Sequence, residues 1–111
     1  MEHYLDNSST TKPCKEAVEA ALDAITHTFG NPSSLHALGF AASRALEDAR
    51  ESVAAVLGVS RAEITFTSGG TEANNLAIFG AYEARKKRGR RVVTTAIEHP
   101  SVLNPMKELE K

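Results

Sequence analysis

The chain has 111 residues, enough for one small domain. Its hydrophobic content of 41% supports a core, and an aromatic content of 5% makes that core mostly Ala, Val, Leu and Ile, small side chains that suit helices packed closely on a sheet. A formal net charge of -1 argues against general affinity for nucleic acids or membrane surfaces, and the single cysteine, Cys14, rules out an intrachain disulfide and fits a reducing, cytoplasmic setting. No stretch approaches the roughly 20 apolar residues of a membrane span, and the start, Met1 to Asp6, has neither a basic nor an apolar leader region.

In chain order, Tyr4 and Leu5 form a short extended piece before the polar run Asp6 to Thr11. A helix is expected from about Pro13 to His27, since proline is tolerated at a first helical position and Val18, Ala21, Leu22 and Ile25 recur at spacings of three and four, marking one buried face. Gly30-Asn31-Pro32-Ser33-Ser34 is the strongest break. Helical spacing then resumes from Leu38 through Leu57, predicting a long helix from about Ser34 to Leu57 that Gly58 stops. Glu63 to Thr67 reads as a strand, Thr71 to about Arg88 as a helix, Arg91 to Ile97 as a second strand and Ser101 onward as a further helix. This βαβα order predicts an α/β fold with a mainly parallel sheet and crossover helices. Two parallel strands make a poor independent sheet, so the chain reads as the incomplete, N-terminal part of something longer.

Two segments bear chemistry. Thr65-Phe66-Thr67-Ser68-Gly69-Gly70-Thr71-Glu72 runs from an apolar strand through a hydroxyl- and glycine-rich turn into a helix. Unpartnered N–H groups and the helix dipole favour an anion there, glycines permit close approach, and Ser68 and Thr71 add hydroxyl donors. The same residues also suit a plain capped turn, with Thr71 as cap and Glu72 just inside. A monophosphate fits better than a nucleotide, because the Gly-Lys-Ser/Thr ending of a triphosphate loop is missing. The second segment, Glu98-His99-Pro100-Ser101, puts an imidazole at the end of the other strand, where it can stack on an aromatic ligand, move protons or merely order the turn. With both strands running the same way, His99 and the 68–71 turn should share one rim of the sheet.

Tyr4-Leu5-Asp6-Asn7-Ser8-Ser9-Thr10-Thr11, Phe29-Gly30-Asn31-Pro32-Ser33-Ser34, the run from Phe66 to Ala77 and Glu98-His99 together resemble the NifS/IscS-like cysteine desulfurases of the class-V aminotransferase family. The likeness covers nearly the whole chain. It implies the large domain of a fold-type I transferase that depends on pyridoxal 5'-phosphate, with residues 1–34 as an N-terminal segment and helix and 35–111 as the start of the cofactor-binding α/β part. Gly70 and Thr71 would then hold the cofactor phosphate, and His99 would stack on its ring and assist proton transfer. The implied reaction converts L-cysteine to L-alanine and passes sulfur on as an enzyme persulfide for iron–sulfur cluster or thiolation pathways. A sulfur-acceptor or scaffold protein and a homodimer are implied as well. Selenocysteine lyase or aminotransferase activity is the nearest alternative, and a non-catalytic phosphate-binding or interaction remnant is a third.

The lysine that binds the cofactor, the aspartate on its ring nitrogen and the nucleophilic cysteine belong to later motifs of that family. None of Lys12, Lys15, Lys86, Lys87, Lys107 and Lys111 stands in the lysine motif, so the 111 residues alone are expected to be inactive. Cys14, beside Lys12 and Lys15 at a helix start, has surroundings that favour a thiolate but is read as an incidental helix cysteine. His27 and His36 lack companions at metal-ligand spacing. Six basic residues between Arg85 and Arg91 are read as a solvated helix end, because no aromatic residues interleave with them for base stacking.

Overall fold

A computed structural model describes residues 3–111, which divide into one compact unit ending at Ile64 and another running from Thr65 to Lys111. In the first unit the polar N-terminal segment closes on itself. The Tyr4 hydroxyl lies 2.8 Å from Thr10 Oγ1 and within reach of the carbonyls of Asp6, at 2.9 Å, and Thr10, at 3.0 Å. Helix α1 spans Lys15–Thr26, with Cys14 as its exposed N-cap. Its apolar stripe is where the spacing puts it, but it is not buried: Val18, Leu22 and Ile25 are each more than half exposed, and no α1 residue is buried. Periodicity fixes which face is apolar, whereas burial requires a second surface to cover it.

Helix α2 spans Ala37–Leu57, three residues shorter at its start than the spacing suggests. The Gly30–Ser34 break explains the later start. Asn31 Oδ1 accepts from the Ser33 N–H at 2.9 Å and the Asn31 carbonyl accepts from the Ser34 N–H at 2.9 Å, a side-chain-supported turn that occupies those residues. This turn lies directly on the first turn of α2. A Cβ on Gly30 would run into the Leu38 carbonyl, and one on Gly39 would run into the Ser34 carbonyl, so both positions need the missing side chain for backbone-to-backbone contact. His36 caps the helix, its Nδ1 accepting from the Gly39 N–H at 3.3 Å. At the other end Gly58 takes the left-handed conformation, φ 68°, and stops the helix as its position implies. Among the described residues of this unit, the buried apolar side chains are those of Ala42 and Ala54 on α2.

Beyond Gly58 the structure corrects the sequence reading. Arg61–Glu63 is a short 3-10 turn, so Glu63 closes a turn where a strand was expected to begin. The cause is local: the Glu63 carboxylate accepts from the Ser60 N–H at 2.9 Å and the Ser60 hydroxyl at 2.8 Å, the Ser-x-x-Glu pairing of a helix start. The backbone donor of Ser60, followed by its hydroxyl, holds the Glu63 carboxyl below its usual range. Arg50 on α2 secures the turn by donating to the Ile64 carbonyl at 2.6 Å.

The second unit contains α3, Gly70–Arg85, packed against α4, Pro100–Leu109. Neither expected strand is present: among the described residues 64–67 and 91–95 have no regular structure and no sheet forms. Strand backbone is stable only when its N–H and C=O groups find a ladder partner, and among the described residues no strand ladder includes these segments. Phe66, Val92, Val93 and Ile97 are correspondingly exposed. Helix α3 ends at Arg85, earlier than Arg88, and Lys86 caps it while pairing with Glu83. Within α4, Pro105 and Ser101 are buried. The described helices include none long and apolar enough to cross a membrane.

Candidate functional site

The site is built from the starts of α3 and α4. At α3 the cap residue is Gly69 rather than Thr71, and Gly69 makes no side-chain cap bond. The Glu72 carboxylate reaches back instead, accepting from the Ser68 hydroxyl at 2.6 Å and the Ser68 N–H at 2.7 Å. Those bonds, the hydroxyl's first, hold the Glu72 carboxyl below its usual range. Ser68, expected to offer its hydroxyl to an anion, is therefore already engaged within the turn. Thr71 is different. Its carbonyl accepts from Asn75 Nδ2 at 2.8 Å, while its hydroxyl makes no hydrogen bond among the described residues.

The two glycines of this turn have no internal reason to be glycine. A Cβ at Gly69 or Gly70 would meet nothing within 4 Å, and Gly69, at φ 163°, has an extended backbone open to any residue. The same openness holds at Gly80 and Gly89, so it gains meaning only from what lies beside Thr71.

What lies there is His99. It is the N-cap of α4, followed by Pro100 at the first helical position, and its Nδ1 accepts from the Ser101 N–H at 3.1 Å. The Ser101 hydroxyl is 2.8 Å from the same nitrogen and accepts at 2.9 Å from Nδ2 of Asn74, one turn into α3. Asn74 thereby joins the two helices through Ser101, a residue only 7% exposed. Nε2 of His99 makes no hydrogen bond among the described residues.

Between these helices is a cleft of about 410 Å³, lined by Thr71, Asn75, Phe79, His99 and one side of α4 from Pro100 to the acidic Glu108 near its end. The expected neighbourhood of Thr71 and His99 thus exists, made by helix packing rather than by a shared sheet rim. Gly70 stands beside Thr71 at the helix start but does not line the cleft. The cleft combines a spare hydroxyl, the amides and positive pole of a helix start, an aromatic wall and an imidazole with one free nitrogen.

Asn74 and Ser101 carry little signal in the sequence. The local signal for Ser101 is a histidine two residues ahead of it at a helix start, whereas its link to Asn74 spans 27 residues and depends on packing. Cys14 lies in the other unit, His36 is a helix cap, and His27 pairs with Asp23 at 3.2 Å. Among the described residues no three His, Cys, Asp or Glu side chains gather to hold a metal ion.

A free hydroxyl at one helix start and an imidazole at another line this one cleft. The family profile described as Aminotransferase class-V matches residues 3–111, and the chain belongs to that family. A "NifS/IcsS protein homolog" of Lactobacillus delbrueckii subsp. bulgaricus is 50% identical over 107 residues, 96% of this chain and 28% of its own length. A "Cysteine desulfurase IscS" of Dictyoglomus turgidum is 46% identical over 110 residues, covering 99% of this chain and 28% of the relative. A solved structure titled "NIFS-LIKE PROTEIN" superposes with a TM-score of 0.87 at 43% identity, covering 99% of this chain and 30% of that one. The chain therefore spans between a quarter and a third of the length of the relatives it matches.

Proposed function

We propose that this chain forms the first part of a cysteine desulfurase that uses pyridoxal 5'-phosphate and converts L-cysteine to L-alanine. Residues 1–34 would be its N-terminal segment and helix, and 35–111 the start of its cofactor-binding part, with 64–67 and 91–97 entering a mainly parallel sheet when further strands pair with them. The observation that supports this best is that the unpaired Thr71 hydroxyl and His99 line one cleft.

The donor set fits the cofactor. Gly70 and Thr71 backbone amides and the Thr71 hydroxyl would hold its phosphate, helped by the positive pole of α3. The open space over Gly69 and Gly70 leaves room for that group. His99 would stack on the ring, and its free Nε2 would hold or release a proton at the substrate. When bound, pyridoxal phosphate supplies the electron sink for amino-acid chemistry. The sulfur would pass to a cysteine outside these residues and on to an acceptor or scaffold protein, in a cytoplasmic homodimer serving iron–sulfur cluster assembly.

The test is turnover by the full-length protein. With cysteine as substrate it should form alanine and sulfide equivalents in equal amounts, and residues 1–111 alone should form neither. Absence of alanine from the loaded full-length protein would overturn the reading.

A further inference from the structure

The Asn74–Ser101–His99 chain of hydrogen bonds has a direction. The Ser101 backbone N–H can only donate, so at 3.1 Å from His99 Nδ1 it makes that nitrogen an acceptor. The Ser101 hydroxyl has one proton and lies between Asn74 Nδ2, a donor at 2.9 Å, and Nδ1 at 2.8 Å. It accepts from the amide and donates a hydrogen bond to the ring nitrogen. With its one lone pair facing these donors, Nδ1 leaves the neutral imidazole's own proton on Nε2, which has no partner among the described residues. Burial of Ser101 protects the relay from competing water, while His99 itself is exposed on the cleft.

We infer that Asn74 and Ser101 are positioning residues that hold His99 in the Nε2–H tautomer, with its ring fixed against the cleft that Thr71 lines. In this role they act through the imidazole, and Asn74 lies outside the lining of the cleft. The relay also ties ring orientation to the packing of α3 on α4, because Asn74 belongs to one helix and Ser101 to the other. The tautomer follows from the geometry, and its catalytic use rests on the desulfurase reading.

Nitrogen-15 NMR of histidine-labelled full-length protein, at a pH where the ring is neutral, separates the two. Without cofactor or substrate, the parent should show a protonated Nε2 and an unprotonated Nδ1 for His99. Ser101→Ala and Asn74→Ala should each move the Nδ1 resonance, and Ser101→Thr, which keeps the hydroxyl, should restore it. In the loaded enzyme each alanine variant should lower kcat about three- to tenfold, the value of one hydrogen bond, with KM for cysteine unchanged. Should Ser101→Ala fail to fold, Asn74→Ala makes the same measurement at a half-buried site. A proton on Nδ1 in the parent, or unchanged resonances in both alanine variants, would overturn the positioning role. So would unchanged kcat in both alanine variants of a parent that does form alanine. A parent that forms no alanine, with the NMR result intact, would instead count against the desulfurase reading alone.

Discussion

Two glycine-bearing turns of this chain look alike in sequence and have opposite reasons for their glycines. At Gly30 and Gly39 the reason is internal, because the 30–34 turn and the start of α2 touch backbone to backbone and a methyl group would strike a carbonyl. At Gly69 and Gly70 an added methyl group would meet nothing within 4 Å, and the backbone at Gly69 needs no special conformation. The first pair maintains a fold, while the second leaves space beside a helix start whose neighbour Thr71 keeps a spare hydroxyl. On the proposed function, that space is where the cofactor phosphate would sit.

The largest effect should come from the chemistry on which the second region depends. His99→Ala in the full-length enzyme should lower kcat for alanine formation by about 10²–10⁴, the usual worth of a positioned acid–base group, while the cofactor still binds. Loss of less than tenfold would leave His99 as a helix cap and no more. Next, Gly39→Ala should destabilise the protein by about 1–3 kcal/mol through overpacking, read from urea denaturation, without a direct effect on cofactor affinity. Gly70→Ala should do the reverse, with stability unchanged or raised by up to about 1 kcal/mol because alanine is the better helix former, and cofactor binding weakened. If both substitutions cost the same stability, the contrast between the two turns is broken.

The smallest effect concerns the edge of the open turn. The Glu72 carboxyl is held below its ordinary value by Ser68, so its bonds stabilise the folded state above that ordinary value and are lost as pH falls through the lower folded-state value. Carbon-13 NMR titration of the Glu72 carboxyl should show the lowering in the parent and its disappearance in Ser68→Ala. An unshifted carboxyl in the parent would mean that the turn is not held this way.

Much of this was legible in the chain, for reasons that differ by element. Gly58 ended α2 because a left-handed residue after a helix is a local requirement, readable from one position. The apolar stripe of α1 was equally readable, but its burial was not, since a stripe specifies a face and not a partner. Glu63 belongs to a 3-10 turn and not to the expected strand because its carboxylate pairs with Ser60, a purely local signal just ahead of the apolar run. The strands at 64–67 and 91–97 failed for a different reason: β-propensity describes residues that suit a sheet, and a sheet is formed by pairing. At the site, Thr71 and His99 were visible from their helix starts. Asn74 and Ser101 were not, because the bond between them exists only once α3 and α4 have packed.

The central claim is that the start of α3 holds the cofactor phosphate, and the direct measurement is an absorbance titration of the full-length protein and its Thr71→Ala variant with pyridoxal phosphate. Loss of one hydroxyl donor to a charged phosphate should weaken binding by roughly ten- to a hundredfold, with urea stability unchanged. Equal affinity in parent and variant would contradict the claim and return the turn at Ser68 to Thr71 to the status of a helix cap.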